Sequence, residues 1–146
     1  MYFMWLTDDQ QELWRSYVAM SARLQSELNR QLQGHGLSLA DYDVLVALSE
    51  RPGCRMSVLG EHLGWEQSRV SHQLARMRAR GLVIRTGSSD DRRAAAVELT
   101  AEGVQALETA APGHAELVRA TVFGSMSPQQ AGVVRKWMSE VLQRLD

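Results

Sequence analysis

The 146-residue sequence is long enough for one domain, or one small domain within an extended helical frame, and its formal charge of −1 argues against a uniformly basic nucleic-acid binder. Its single cysteine, Cys54, excludes an internal disulfide and a cysteine-rich zinc site, which fits a reducing cytoplasm. The opening MYFMWL is apolar but has no basic leader and meets Thr7, Asp8 and Asp9, so it is read as neither secretion signal nor membrane span; no later apolar run reaches bilayer length, and a soluble protein is expected.

Thr7 to Gln10 forms a T-x-x-Q capping box, and Leu13, Tyr17, Met20, Leu24, Leu28 and Leu32 follow at helical spacing until Gly34 and Gly36, predicting a long first helix. Ser38 is placed to cap a second helix that turns Tyr42, Leu45 and Leu48 inward and ends before Pro52-Gly53. Ser57 is expected to cap a short third helix with Val58, Leu59 and Leu63 on its buried side and Gly64 as a left-handed stop. A basic helix, WEQSRVSHQLARMRARG, begins directly afterwards. Its Val70, Leu74 and Met77 fall at i, i+4 and i+7, one apolar stripe. Short helix, tight glycine-containing turn, second helix with a polar face: this is the pattern of a helix-turn-helix.

Gly81 ends the basic helix, and β-branched Val83 and Ile84 favour a strand up to the charged turn TGSSDDRR. Val97 and Leu99 alternate with Ala96 and Glu98 on a returning strand, making a hairpin. Thr100 is predicted to cap a fifth helix carrying Val104, Leu107, Ala111, Leu117, Val118 and Val122, which Pro112-Gly113 must kink or split. Ser127-Pro128-Gln129-Gln130 starts a sixth helix expected to bury Val134, Trp137, Val141 and Leu145. The terminal helices, with Trp5, Trp14, Phe123 and Trp137, carry more apolar surface than one small module covers, which points to dimerisation through both ends.

Charge is unevenly placed. Between Trp65 and Arg93 seven arginines (69, 76, 78, 80, 85, 92, 93) face three acids (66, 90, 91), a local +4 that leaves −5 on the rest. One face attracts phosphate while the remainder repels it. The basic helix leaves Gln67, Ser68, Arg69, Ser71, His72 and Arg76 on the side away from its apolar stripe, and these side chains are of the types that hydrogen-bond base edges and phosphates. Arg69 suits guanine, Gln67 adenine, and Ser68 or Ser71 a phosphate. Arg93, toward the hairpin tip, suits a minor groove, with Asp91 holding it by an ion pair.

These residues resemble the MarR family of bacterial transcription regulators over essentially the whole chain from Asp8 to Leu145. Asp91-Arg92-Arg93 followed by Val97-Glu98-Leu99-Thr100 is similar to the family's wing motif, D-x-R then V-x-L-T, and SRVSHQLARMRARGLV resembles its recognition helix running into the wing. The resemblance implies a mainly α fold with a small β wing: a winged helix-turn-helix of six helices in the order α-α-β-α-α-β-β-α-α, the short first strand near Arg55-Met56. It places the DNA-binding lobe at 38–100, with 1–37 and 101–146 as the helical dimerisation region. Homodimers on near-palindromic double-stranded DNA, Ser57, Arg92 and the basic-helix residues among the DNA contacts, and a lipophilic or phenolic effector are implied with it. Trp14, Tyr17 and His114 are the candidates for the effector. Glu66 departs from the family, which often has Ser or Asp at that helix cap; Glu caps poorly, although its charge suits the positive helix end.

Other readings are weaker on the residues. Asp90-Asp91 are two turn formers without a partner ligand, and His35, His62, His72 and His114 match no zinc spacing, so no metal and no cofactor are expected. No nucleophile–base–oxyanion set or phosphate-cradling motif suggests an enzyme. A winged helix can also serve as a protein-docking module without DNA binding. Cys54, between Arg51 and Arg55, raises a thiol-based redox sensor, because neighbouring arginines lower a thiol's pKa.

Overall fold

The structure is a computed structural model that describes residues 5–87 and 95–146. Among the described residues it holds six α-helices and three short strands in the predicted order. The chain divides into two compact units, Met1–Pro112 and Gly113–Asp146.

In the first unit, α1 (Asp8–Gln33) starts at the expected box: Gln10 N donates to Thr7 Oγ1 at 3.2 Å, and Thr7 N to Gln10 Oε1 at 3.0 Å. Only the C-terminal part of its apolar stripe is used within the subunit. Leu28 and Leu32 are buried, whereas Leu13, Tyr17 and Met20 are exposed. α2 (Leu39–Glu50) begins at Ser38, which accepts from Asp41 N while Asp41 Oδ2 accepts from Ser38 N, and it buries Tyr42, Val44, Leu45, Ala47 and Leu48.

β1 (Cys54–Arg55) runs without a loop into α3 (Met56–Leu63), so extended Arg55 (φ −74°, ψ 154°) stands at the cap. This corrects the sequence reading of Ser57, which already lies inside the first helical turn. Strand pairing of Arg55 with Ala96 fixes where the helix can start. Leu59 is fully buried, Leu63 half-buried and Val58 exposed, so Val58 also departs from expectation. Gly64, at φ 69°, turns the chain into α4 (Gln67–Ala79), a conformation that costs an L side chain roughly 1–2 kcal/mol.

β2 (Val83–Thr86) and β3 (Ala96–Leu99) pair antiparallel from Val83↔Leu99 to Thr86↔Ala96, and β1 joins the other edge, giving the order β1-β3-β2. Thr100 closes the sheet onto the next helix: its hydroxyl donates to Gly81 O at 2.6 Å and accepts from Gly103 N at 3.0 Å. Leu32, Leu45, Leu48, Leu59, Val70, Met77 and Val83 form the centre of one core shared by α1 to α4 and the sheet.

α5 (Ala101–Val118) continues through Pro112 and is not split there; a proline removes one hydrogen bond of the ladder, and the rest survives. In the second unit a π-helical turn (Arg119–Phe123) follows, then α6 (Pro128–Leu145), whose Ser127–Gln130 box and Pro128 at the first position match the sequence signal. No residue of α6 is buried. Trp137 and Leu145 are exposed and Val134 and Val141 half-buried, so the expected burial of this face is met only in part.

Candidate nucleic-acid interface

The amphipathic pattern of α4 is realised as read. Val70, Leu74 and Met77 sit in the core, and Gln67, Ser68, Arg69, Ser71, His72 and Arg76 are all exposed. Ser57 on α3, Arg78 on α4 and Arg85 on β2 are exposed as well.

Several of these side chains are held in place. The Arg69 guanidinium lies over the Trp65 ring at 4.0 Å from its centroid. Half-buried Asp43 is close enough to feel it: burial pushes the Asp43 carboxyl above its ordinary value, and the Arg69 charge pulls the other way. Gln67 Nε2 donates to Met56 O at 3.5 Å, a long tether across the turn, and a Cβ at Gly60 would collide with that amide. Arg76 Nη2 donates to Gln73 Oε1 at 2.9 Å.

Two polar residues of this segment have partners on other elements. Gln73 lies among the buried residues of α4, and Arg80, counted above in the local positive charge, is exposed but ion-paired to the buried Asp41. Arg80 Nη1 meets Asp41 Oδ2 at 2.7 Å, its Nη2 donates to Gly36 O, and Gln73 Nε2 donates to Asp41 Oδ1 at 2.6 Å. Burial alone would raise the Asp41 carboxyl. The Ser38 N–H, the hydrogen bond and charge of Arg80, and the Gln73 amide outweigh it and hold the group below the usual range. The Arg80 guanidinium, 43% exposed, thus has an ion-pair partner within its own chain.

Asp91, Arg92 and Arg93 lie outside the described residues, as does the ion pair expected between Asp91 and Arg93. Glu66 occupies the α4 cap in extended geometry and makes no side-chain cap bond, as expected of glutamate. Trp14 and Tyr17 stack with centroids 5.4 Å apart on an exposed part of α1. His114 belongs to the other unit, where burial lowers its pKa. An open groove of about 470 Å³ in that second unit is lined by residues including Val122, Met126, Val133 and Val134 and does not include His114. Cys54 is half-buried, and burial pushes its thiol up further than Arg51 and a backbone hydrogen bond bring it down. The thiol is thus held protonated at neutral pH, contrary to the activation by arginines that a redox sensor needs. Among the described residues there is no cluster of potential metal ligands, and no helix is long and apolar enough to cross a membrane.

A short helix, a left-handed glycine turn, a second helix with an exposed polar face, and a following hairpin define a winged helix-turn-helix protein. The chain matches the MarR family over residues 35–94. It is similar to AbsC, a MarR family transcriptional regulator from Streptomyces coelicolor, at 34% identity over 97% of both chains with a TM-score of 0.89. It is also similar to Sco3205, a MarR family transcriptional regulator of the same organism whose crystal structure is in complex with DNA, at 36% identity over 97% of this chain and 94% of that one, TM-score 0.90. The transcriptional regulator HosA of Escherichia coli O157:H7 is 33% identical over 107 residues, 70% of this chain and 78% of HosA. The chain belongs to the MarR family; it is a transcription regulator and not an enzyme.

Proposed function

We propose that the protein binds a near-palindromic operator as a homodimer and acts as a repressor released by a small lipophilic or phenolic molecule. The observation that carries the DNA contact is the exposed face of α4, six polar and basic side chains opposite a buried apolar stripe. Two such helices, related by a two-fold axis, enter successive major grooves about 10 bp apart. Arg69, Gln67 and Arg76 read bases or phosphates, Ser57, Ser68, Ser71 and His72 flank them, and Asp91, Arg92 and Arg93 carry the wing into the minor groove. The DNA complex of the similar protein Sco3205 supports this reading.

The dimer is supported by exposed Leu13, Trp14, Val18 and Met20 on α1 and exposed Val133, Trp137, Met138 and Leu142 on α6, apolar surface that a soluble monomer rarely presents. Residues 38–100 form the DNA-binding lobe; 1–37 and 101–146 form the dimerisation region. The stacked Trp14 and Tyr17 rings offer a flat apolar contact for an aromatic effector. A regulator that reads chromosomal DNA works in the cytoplasm, and a cytoplasmic location is part of this proposal.

Selection of bound duplexes from a random pool with purified protein tests the proposal. Enrichment of an inverted repeat with half-sites one helical turn apart is the expected result. An enriched single half-site would overturn the dimer, and no enrichment at all would overturn operator binding.

A further inference from the structure

We infer that Asp41, acting through Gln73, positions the DNA-facing guanidinium of Arg76: a buried carboxylate sets the orientation of an amide, and the amide oxygen holds the arginine. The inference rests on α4 being the helix that reads DNA.

Asp41 and Gln73 are only 5% and 4% exposed, so neither can exchange its partner for water at little cost. A carboxylate only accepts hydrogen bonds. Asp41 Oδ2 takes Ser38 N at 2.9 Å and Arg80 Nη1 at 2.7 Å, and Oδ1 takes Gln73 Nε2 at 2.6 Å. The lowered carboxyl pKa agrees with a group that stays ionised. The two ends of an amide are chemically different: with the NH2 of Gln73 committed to Asp41, its oxygen must face the other way, and there it accepts from Arg76 Nη2 at 2.9 Å. A flipped amide would set acceptor against acceptor at Asp41 and donor against donor at Arg76. Arg80 completes the arrangement by supplying the countercharge that lets the carboxylate stay buried, and it anchors to the Gly36 carbonyl at the end of α1.

Arg76 itself is exposed, one turn along α4 from His72 on the DNA-facing side. A free arginine there samples many rotamers and loses them on binding. The bond to Gln73 restricts them beforehand. Arg76 touches the DNA; Gln73 and Asp41 are positioning residues that act through it.

The test is a double-mutant cycle on affinity for the selected duplex, with wild type, Arg76→Ala, Gln73→Leu and the double variant, each checked by thermal unfolding. Gln73→Leu is expected to weaken binding roughly threefold to tenfold alone and to add almost nothing in the Arg76→Ala background. Gln73→Met, which fills the same space with a more adaptable chain, should behave in the same way. Nitrogen NMR of the free protein should show rotation about the Arg76 Nε–Cζ bond slowed in wild type and fast in both Gln73 variants, a signature that simple loss of stability does not produce. Wild-type affinity in both Gln73 variants, losses that add in full to that of Arg76→Ala, or unfolding of both variants would overturn the inference. Unchanged binding by Arg76→Ala would overturn it while leaving DNA reading by the other α4 residues intact. Failure of the wild type to bind any duplex would remove the reading beneath it.

Discussion

Arg69 is the residue at which packing and recognition meet. Stacked on Trp65, its guanidinium keeps its charge and all its donors while losing freedom, an interaction worth about 0.5–1 kcal/mol at an exposed site. Trp65→Leu keeps apolar bulk against the core but removes the ring face, so operator affinity should fall about twofold to fivefold with the fold intact, as fluorescence anisotropy would measure. An unchanged affinity would mean that the stacking contributes nothing to binding. Glu66 makes no cap bond, and Glu66→Ser should raise stability by about 0.5–1 kcal/mol in urea unfolding. Gln73 shows where residue type and spacing disagree in the sequence. It stands at i+3 from Val70, on the stripe of Leu74 and Met77, but an amide reads as surface, and the partner that makes its burial tolerable is 32 residues away on α2. Cys54 is the converse case: its sequence neighbours are arginines, but the fold's burial decides its chemistry.

At the level of helices and strands, legibility followed local hydrogen-bonding chemistry. The caps at Thr7 and Ser127 were visible because a hydroxyl and its N3 partner sit three residues apart, and Ser38 was visible as a hydroxyl cap after glycine. The start of α3 was not, because a strand pairing with Ala96 sets it and Ser57 supplied a plausible local decoy. The junction of sheet and α5 depends on Gly103, where a Cβ would fall on the Leu82 carbonyl. Gly103→Ala should therefore cost about 1–3 kcal/mol by denaturant unfolding, despite the better helix propensity of alanine. Asp41 ties α2 to α4 with a carboxyl lowered in the folded state, so its contribution is present above the unfolded value near ~3.9 and is lost as pH falls through the folded one. Asp41→Asn should be less stable than wild type at pH 7, and the gap should narrow below about pH 4 in pH-dependent urea unfolding. Asp43, raised by burial, works in the opposite sense and favours the folded state as it protonates.

At the scale of the whole molecule, two helices carry exposed apolar residues among the described residues: Leu13 on α1 is 71% exposed and Val133 on α6 is 70% exposed. The sequence showed these stripes but not that Trp137 and Leu145 would stay exposed, because periodicity marks a face and not what covers it. If a second copy covers them, the thermal midpoint rises with protein concentration. Leu13→Glu combined with Trp137→Glu should sediment as a monomer and lose affinity for the inverted repeat far more than for a single half-site. A concentration-independent midpoint in the wild type would argue against an obligate dimer. The Asp41–Arg80 pair also changes the count of ions exchanged with the duplex. A guanidinium already paired with a carboxylate of its own protein expels no counterion from the DNA atmosphere, so replacing Arg80 should leave the slope of log affinity against log salt almost unchanged. Each arginine that does meet a phosphate should flatten that slope by about 0.9 when removed. Titration of binding with potassium chloride would thus distinguish the cations that hold the fold from those that hold the operator.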